Sequence, residues 1–211
     1  KMRYYTPYEV LAHNTYDDLW VSLLGKVYNL SQLSEKNKGS ILMKPIIEAA
    51  GKDISHWFDE ITEEPRRYLD PLTNISLIYT PYGRYVHVPP PYPSSDWAND
   101  FGTPWWKDSN YYIGHLTKKT RKLKIINTLT SQQDVCSEET INEILRRYLA
   151  YNLHANSYTW KYDGVVLDMN KTLEENGIKD DDFEFYNLKM DDTEYLQYVH
   201  LYFNDDLTVI D

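Results

Sequence analysis

Six histidines, one cysteine and a surplus of carboxylates are the side chains here that could do chemistry. Cys136 has no histidine near it in sequence, and a lone thiol without an activating base or cation is inert. A single cysteine excludes an internal disulfide and a cysteine-built zinc cage, and it fits a reducing compartment. Serines, histidines and acids occur, but not with nucleophile-elbow spacing, and no glycine-rich phosphate loop is present. Asp180-Asp181-Asp182 and Asp191-Asp192 lack the alternation and central glycine of a calcium loop, so they read as solvated turns. His56 stands beside Trp57 and Phe58 in a short helical stretch. His87 lies in Tyr85-Val86-His87-Val88, whose alternation reads as a strand. Read locally, these are a helix-surface imidazole and a strand imidazole. No catalytic constellation emerges, and the expectation is a protein without enzymatic activity.

The single basic run is Lys118-Lys119-Thr120-Arg121-Lys122-Leu123-Lys124. It reads as a hairpin turn leading into an exposed strand face, or as a contact for an acidic filament surface. The whole chain carries a net charge of −10 over 211 residues. Residues 152–211 hold 4 basic and 14 acidic side chains and account for the excess. A general nucleic-acid binder would show a basic footprint, so that class is excluded. No segment approaches the roughly 20 apolar residues of a membrane span, no signal-peptide pattern stands at the start, and Leu207-Thr208-Val209-Ile210-Asp211 is expected not to anchor. The 20 tyrosines and 6 tryptophans bring large contact areas, many with a polar tip, which suits partner surfaces.

Several elements must position these groups. Thr6-Pro7 followed by Glu9 predicts a capped helix start. Residues 19–24 and 26–30 predict two strands turning at Gly25. Lys44-Pro45 opens a helix that Gly51 is placed to end. Asp53 caps the short helix of His56, Trp57 and Phe58, the last two lining a pocket or plugging it. Residues 75–79 and 84–88 predict short strands around a turn at Pro81-Tyr82-Gly83. Residues 89–110 then combine a proline run with Trp97, Phe101, Trp105 and Trp106. Proline imposes a stiff, extended backbone, and disordered linkers are aromatic-poor. This stretch is therefore expected to be an ordered strap on one of the domains or on a partner. Trp97, Trp105 and Trp106, with Lys118, Lys119 and Arg121, are the candidate partner contacts.

Beyond the strap, Leu123 and Ile125 alternate with Lys122, Lys124 and Ile126 as in a half-buried strand. Ser137-Glu138-Glu139 predicts a helix start. Ile141, Ile144, Leu145, Tyr148 and Leu149 then form one apolar stripe. Asp163-Gly164 between residues 158–162 and 165–167 is a hairpin signal. Thr172 to Ile178 predicts one helical turn closed by Gly177, and residues 195–203 a last strand.

Two resemblances follow. Tyr5-Thr6-Pro7, His13-Asn14, Asp17-Asp18-Leu19-Trp20-Val21, Gly25-Lys26-Val27-Tyr28-Asn29-Leu30 and Ala50-Gly51-Lys52-Asp53 run in an order that resembles the cytochrome b5-like heme-binding domain. That resemblance implies heme held between two histidines and electron transfer. The first ligand is expected in a His-Pro-Gly-Gly corner, but Asn37-Lys38-Gly39-Ser40 stands there. The second is expected near Glu63, within Asp59-Glu60-Ile61-Thr62-Glu63. Axial ligands largely set heme chemistry, so no bis-histidine heme is expected. If the family activity is retained, His56 and His87 are the substitute axial candidates, with Tyr68 a further oxygen donor. No other metal site is expected. Tyr162-Asp163-Gly164-Val165-Val166-Leu167 followed by Lys171-Thr172-Leu173-Glu174-Glu175-Asn176-Gly177-Ile178 resembles the ubiquitin-like β-grasp.

The expected fold is α+β, with a cytochrome b5-like domain at 1–88, the strap at 89–110 and a β-grasp domain at 111–211. This architecture, including residues 95–106, 125–132 and 201–208, resembles a family of cytochrome b5 domain-containing proteins associated with motile cilia and the radial spokes of the axoneme. The resemblance implies a docking protein of the cytoplasm, cytoskeleton and cilium axoneme. Its expected partners are axonemal or radial-spoke proteins, with no nucleic acid and no membrane. The alternative is an atypically ligated heme protein for electron transfer or redox sensing.

Overall fold

The computed structural model describes residues 2–95, 97–128, 130–190 and 195–204. Asp191-Asp192 and the end of the chain from residue 205 lie outside them. The chain divides into two compact units, residues 1–116 and 117–211.

The first unit begins with β1 (Tyr4–Tyr5) and α1 (Pro7–Ala12). Its helix start is a reciprocal capping box. The Thr6 hydroxyl accepts from the Glu9 N–H at 3.1 Å, and the Thr6 N–H donates to the Glu9 carboxylate at 2.8 Å. β2 (Trp20–Leu23) and β3 (Lys26–Asn29) form the expected hairpin, with Leu24 and Gly25 both at positive φ. That pair of conformations is the tight turn that matches strand twist. Short helices α2 (Ser31–Lys36) and α3 (Lys44–Glu48) follow. A two-stranded ribbon of β4 (Arg67–Leu69) and β5 (Ser76–Ile78) comes next.

The strand that completes the first sheet comes from beyond the strap. β6 (Tyr112–Leu116) inserts between β1, which it pairs in parallel, and β3, which it pairs in antiparallel fashion, giving the order β1-β6-β3-β2. Gly114 sits where the Arg3 carbonyl approaches, and a Cβ there would collide with it. Only glycine lets β1 and β6 come this close. The boundary therefore falls at 116/117 and not at 110/111. The strap is an internal part of the first unit, because Trp105 and Trp106 are buried in its core.

Two further expectations change. Residues 84–88 are not a strand but a turn with His87 at φ 72°, although Tyr85, Val86 and Val88 are buried. The alternation reported burial and not pairing. The second unit's helix starts later than Ser137. Thr140 and Glu143 form its capping box, with the Thr140 N–H donating to the Glu143 carboxylate at 2.9 Å.

The second unit contains β7 (Thr120–Ile126), β8 (Thr130–Cys136), α4 (Ile141–Tyr148), β9 (Tyr158–Tyr162), β10 (Val165–Val166), α5 (Asp182–Asn187) and β11 (Tyr198–Phe203). The sheet order is β10-β9-β11-β7-β8, with β11 parallel to β7 and the other pairs antiparallel. Two hairpins, one helix between them and a central last strand make this the ubiquitin-like β-grasp. The α4 stripe of Ile141, Ile144, Leu145 and Tyr148 packs with Leu123, Ile125, Trp160, Val199 and Leu201. Asp163 and Gly164 turn β9 into β10 at φ 47° and 79°, and Gly177 closes its helical turn at φ 81°.

Because β6 supplies the central ladder of the first sheet, a fragment of residues 1–116 is expected to unfold in one cooperative urea transition. A fragment of residues 1–110 is expected to show none, as followed by tryptophan fluorescence and circular dichroism.

Candidate functional site

The cytochrome b5-like resemblance directs attention to the space between α2, α3 and the segment from Ile54 to Glu64. Asn37, at the first ligand position, ends α2 and turns its amide back onto the Leu33 carbonyl at 2.9 Å. Glu63, at the second, is exposed and takes both oxygens to the Lys26 ammonium at 2.9 Å. Neither position carries an imidazole.

The interior is filled with aromatic rings. Trp57, Phe58, Tyr85 and Trp105 are each 0% exposed. Trp57 packs on Tyr85 at 5.2 Å between ring centroids, Phe58 on Trp106 at 5.8 Å, and Trp105 edge-on to Trp106 at 5.6 Å. Such tilted and edge contacts add to the burial of large apolar rings. Polar contacts hold the strap's end in place. The Tyr28 hydroxyl donates to the Trp106 carbonyl at 3.1 Å. The Trp106 indole donates to Glu64 at 3.1 Å, and Lys107 closes on the other Glu64 oxygen. Burial, with the charge of Glu63, pushes the Tyr28 hydroxyl up to about 12. Burial also raises Tyr85, and its hydroxyl and the indole N–H groups of Trp57 and Trp105 have no hydrogen-bond partner among the described residues.

The substitute ligands do not face this core. His56 is exposed, on the short turn Ser55–Trp57. Half-buried His87 accepts the Trp105 N–H on Nδ1 at 2.9 Å and stacks on Phe101 at 4.2 Å. An accepting Nδ1 leaves the proton on Nε2, so the ring is a neutral latch on the strap. Tyr68 lies on the exposed β4–β5 ribbon. Among the described residues no group of three or more histidines, cysteines or acids could hold a metal ion. These residues do not fit a bis-histidine heme: no imidazole points into the core, and its volume is taken by indole and phenol rings.

The candidate partner contacts divide. Trp105 and Trp106 are interior, because the strap returns into the core, and they are corrected from surface to core residues. Trp97 is half-buried beside Phe101, with the Arg84 guanidinium 5.8 Å from its ring. Arg121 is 7% exposed and donates to the Ile178 and Lys179 carbonyls at 2.9 and 2.7 Å, so it is a brace and not a contact. Lys119 is engaged by Asp180 and Asp182. Lys118 alone of the three presents a side chain to solvent with no ion pair among the described residues. The sequence reading missed Tyr85, Glu64 and the His87 latch. The apolar company of Tyr85 was a usable signal; nothing local marks Glu64 or the latch.

Desolvation holds the His87 pKa below its ordinary 6.5, against a smaller opposing pull from Asp108. A base depressed in the folded state binds more protons when unfolded. Its stabilising share is thus full above about pH 6.5 and is lost as pH falls toward the folded value. Urea midpoints are expected to drop across this window. His87→Asn, which tolerates positive φ and keeps an acceptor, is expected to flatten the drop.

The family model described as "Cytochrome b5-like Heme/Steroid binding domain" matches residues 6–117, ending one residue past the end of the first unit. A Xenopus laevis protein named cytochrome b5 domain-containing protein 1 is 58% identical over 98% of this chain and 96% of its own length. The Homo sapiens protein of that name is 58% identical over 98% of this chain and 92% of its own. A Candida tropicalis cytochrome b5 is 41% identical over 32% of this chain and 53% of its own length. Identity at this level across nearly the full length, over both units, places the chain in the cytochrome b5 domain-containing protein 1 family.

Proposed function

We propose that this chain is a non-enzymatic docking protein of the motile-cilium axoneme, working at the radial spokes. In this reading both units serve as binding platforms. The observation that carries the docking half is the aromatic filling of the first core. Trp57, Tyr85 and Trp105 occupy the interior at 0% exposure, and His56 and His87 lie outside it. A b5-like unit built this way has a rigid frame and no redox centre of the family's usual kind. The axonemal half rests on the resemblance of the two-unit architecture and its strap to a ciliary family. The second unit, with its ubiquitin-like β-grasp topology, is read as an interaction module.

Two measurements test the halves separately. Hemin titrated into the full chain is expected to give no low-spin Soret band. A band that disappears in His56→Ala or His87→Ala would overturn the scaffold reading and restore the redox one. In ciliated cells, the tagged chain is expected to stay with detergent-stripped axonemes and to be lost from axonemes lacking radial spokes. Full extraction by detergent would sink the axonemal placement.

A further inference from the structure

A groove of about 470 Å³ runs along the β4–β5 ribbon of the first unit, away from the aromatic core. Its polar lining is Arg67, Arg84, Tyr68, Ser76 and Thr80, and Pro89-Pro90-Pro91 forms one wall. Among the described residues no aspartate or glutamate lines it, in a chain whose net charge is −10. The acid nearest in sequence, Asp70, is spent on its own turn, accepting from the Leu72 N–H at 3.0 Å and the Thr73 hydroxyl at 2.8 Å.

The two guanidiniums are available. Arg66 and Arg67 are neighbours with opposite fates. The Arg66 N–H donates to the Trp57 carbonyl at 2.8 Å, and its Nε donates to the Phe58 carbonyl at 2.7 Å, fastening the ribbon to the core. Arg67 is exposed and has no ion pair among the described residues. Arg84 has none either. It leans on Trp97 and makes a long contact, 3.5 Å, to the Val88 carbonyl. Both walls are held: the ribbon by Arg66, and the proline run by buried Tyr85, Val86 and Val88 just before it. A groove held in shape loses little freedom on binding.

Guanidinium forks suit the oxygens of a phosphate, and hydroxyls can donate to those the forks leave open. The proline wall offers no N–H donors and a stiff extended backbone. Such a wall favours a ligand that lies extended along it and draws its directional bonds from the arginine side. We propose that this groove binds a phosphorylated, extended segment of a protein partner, with Arg67 and Arg84 on the phosphate and the neighbouring chain against Pro89-Pro90-Pro91.

The test is an amide NMR titration of the full chain with three probes. These are a short alanine–glycine peptide carrying one central phosphoserine, its unphosphorylated twin, and inorganic phosphate. The phosphopeptide is expected to shift residues 67–69 and 76–80, to bind at least about tenfold tighter than the twin, and to bind tighter than inorganic phosphate. Arg67→Gln changes an exposed side chain and is expected to weaken the phosphopeptide by about tenfold. Arg84→Gln should do the same, and if it unfolds the unit, Arg67→Gln still decides. Equal affinity for the twin, shifts that map elsewhere, or wild-type affinity in Arg67→Gln would overturn the proposal. Inorganic phosphate binding as tightly as the phosphopeptide would overturn its peptide part, because the proline wall would then contribute nothing.

Discussion

Burial of Trp105 against Phe58, Tyr85 and Tyr28 is the contact on which the first unit depends. The residues that supply it are far apart in sequence, and their meeting brings the strap back over the b5-like frame. Once Trp105 and Trp106 are seated, β6 is delivered between β1 and β3, and the sheet has its centre. Full burial of large apolar side chains contributes roughly 1.5–3 kcal/mol each, enough to make the return of a proline-rich stretch favourable. Among the described residues the Tyr85 hydroxyl and the Trp57 and Trp105 indoles have no hydrogen-bond partner, so this centre is held by apolar and ring contacts.

The units differ in how far the sequence disclosed them. Elements whose cause is local were legible. Thr6 with Glu9, the turns at Gly25 and Asp163-Gly164, and the stripe on α4 are each set by a few adjacent residues. So was the fold class, because punctuation and periodicity carry it. Elements whose cause is distant were not. Residues 112–116 have no strong alternation, and they pair because β1 and β3 leave a gap of the right width with Gly114 at its closest approach. His87 sits in an apolar alternation that marks burial alone, and its ring is oriented by Trp105 and Phe101 across the strap. Thr140 rather than Ser137 caps α4, because Glu139 is drawn inward to pair with Arg147 at 2.7 Å.

Basic residues adjacent in sequence show the same division on the surface. In the run 118–124, Arg121 points inward and satisfies two carbonyls of a returning loop, while Lys122 stays exposed. At 66–67, Arg66 fastens the ribbon and Arg67 does not. Counting cations in a run therefore overstates the charge available to a partner. Strand alternation halves it, and backbone carbonyls claim part of the remainder. For the candidate functional residues, the sequence supplied the types, and the pairing of strands decided which were free.

The position of β6 also bears on how the chain is made. A ribosome releases residues in order, and the first sheet cannot close until Leu116 has emerged. The Tyr28–Trp106 contact spans 78 residues, and contacts so distant form slowly because a long loop must be ordered first. During synthesis the β2–β3 hairpin and its helices therefore stand for a time without their central strand, with edges open to a neighbouring nascent chain or a chaperone. The β-grasp unit begins at the very next residue, so it starts to leave the ribosome just as the first unit becomes able to close.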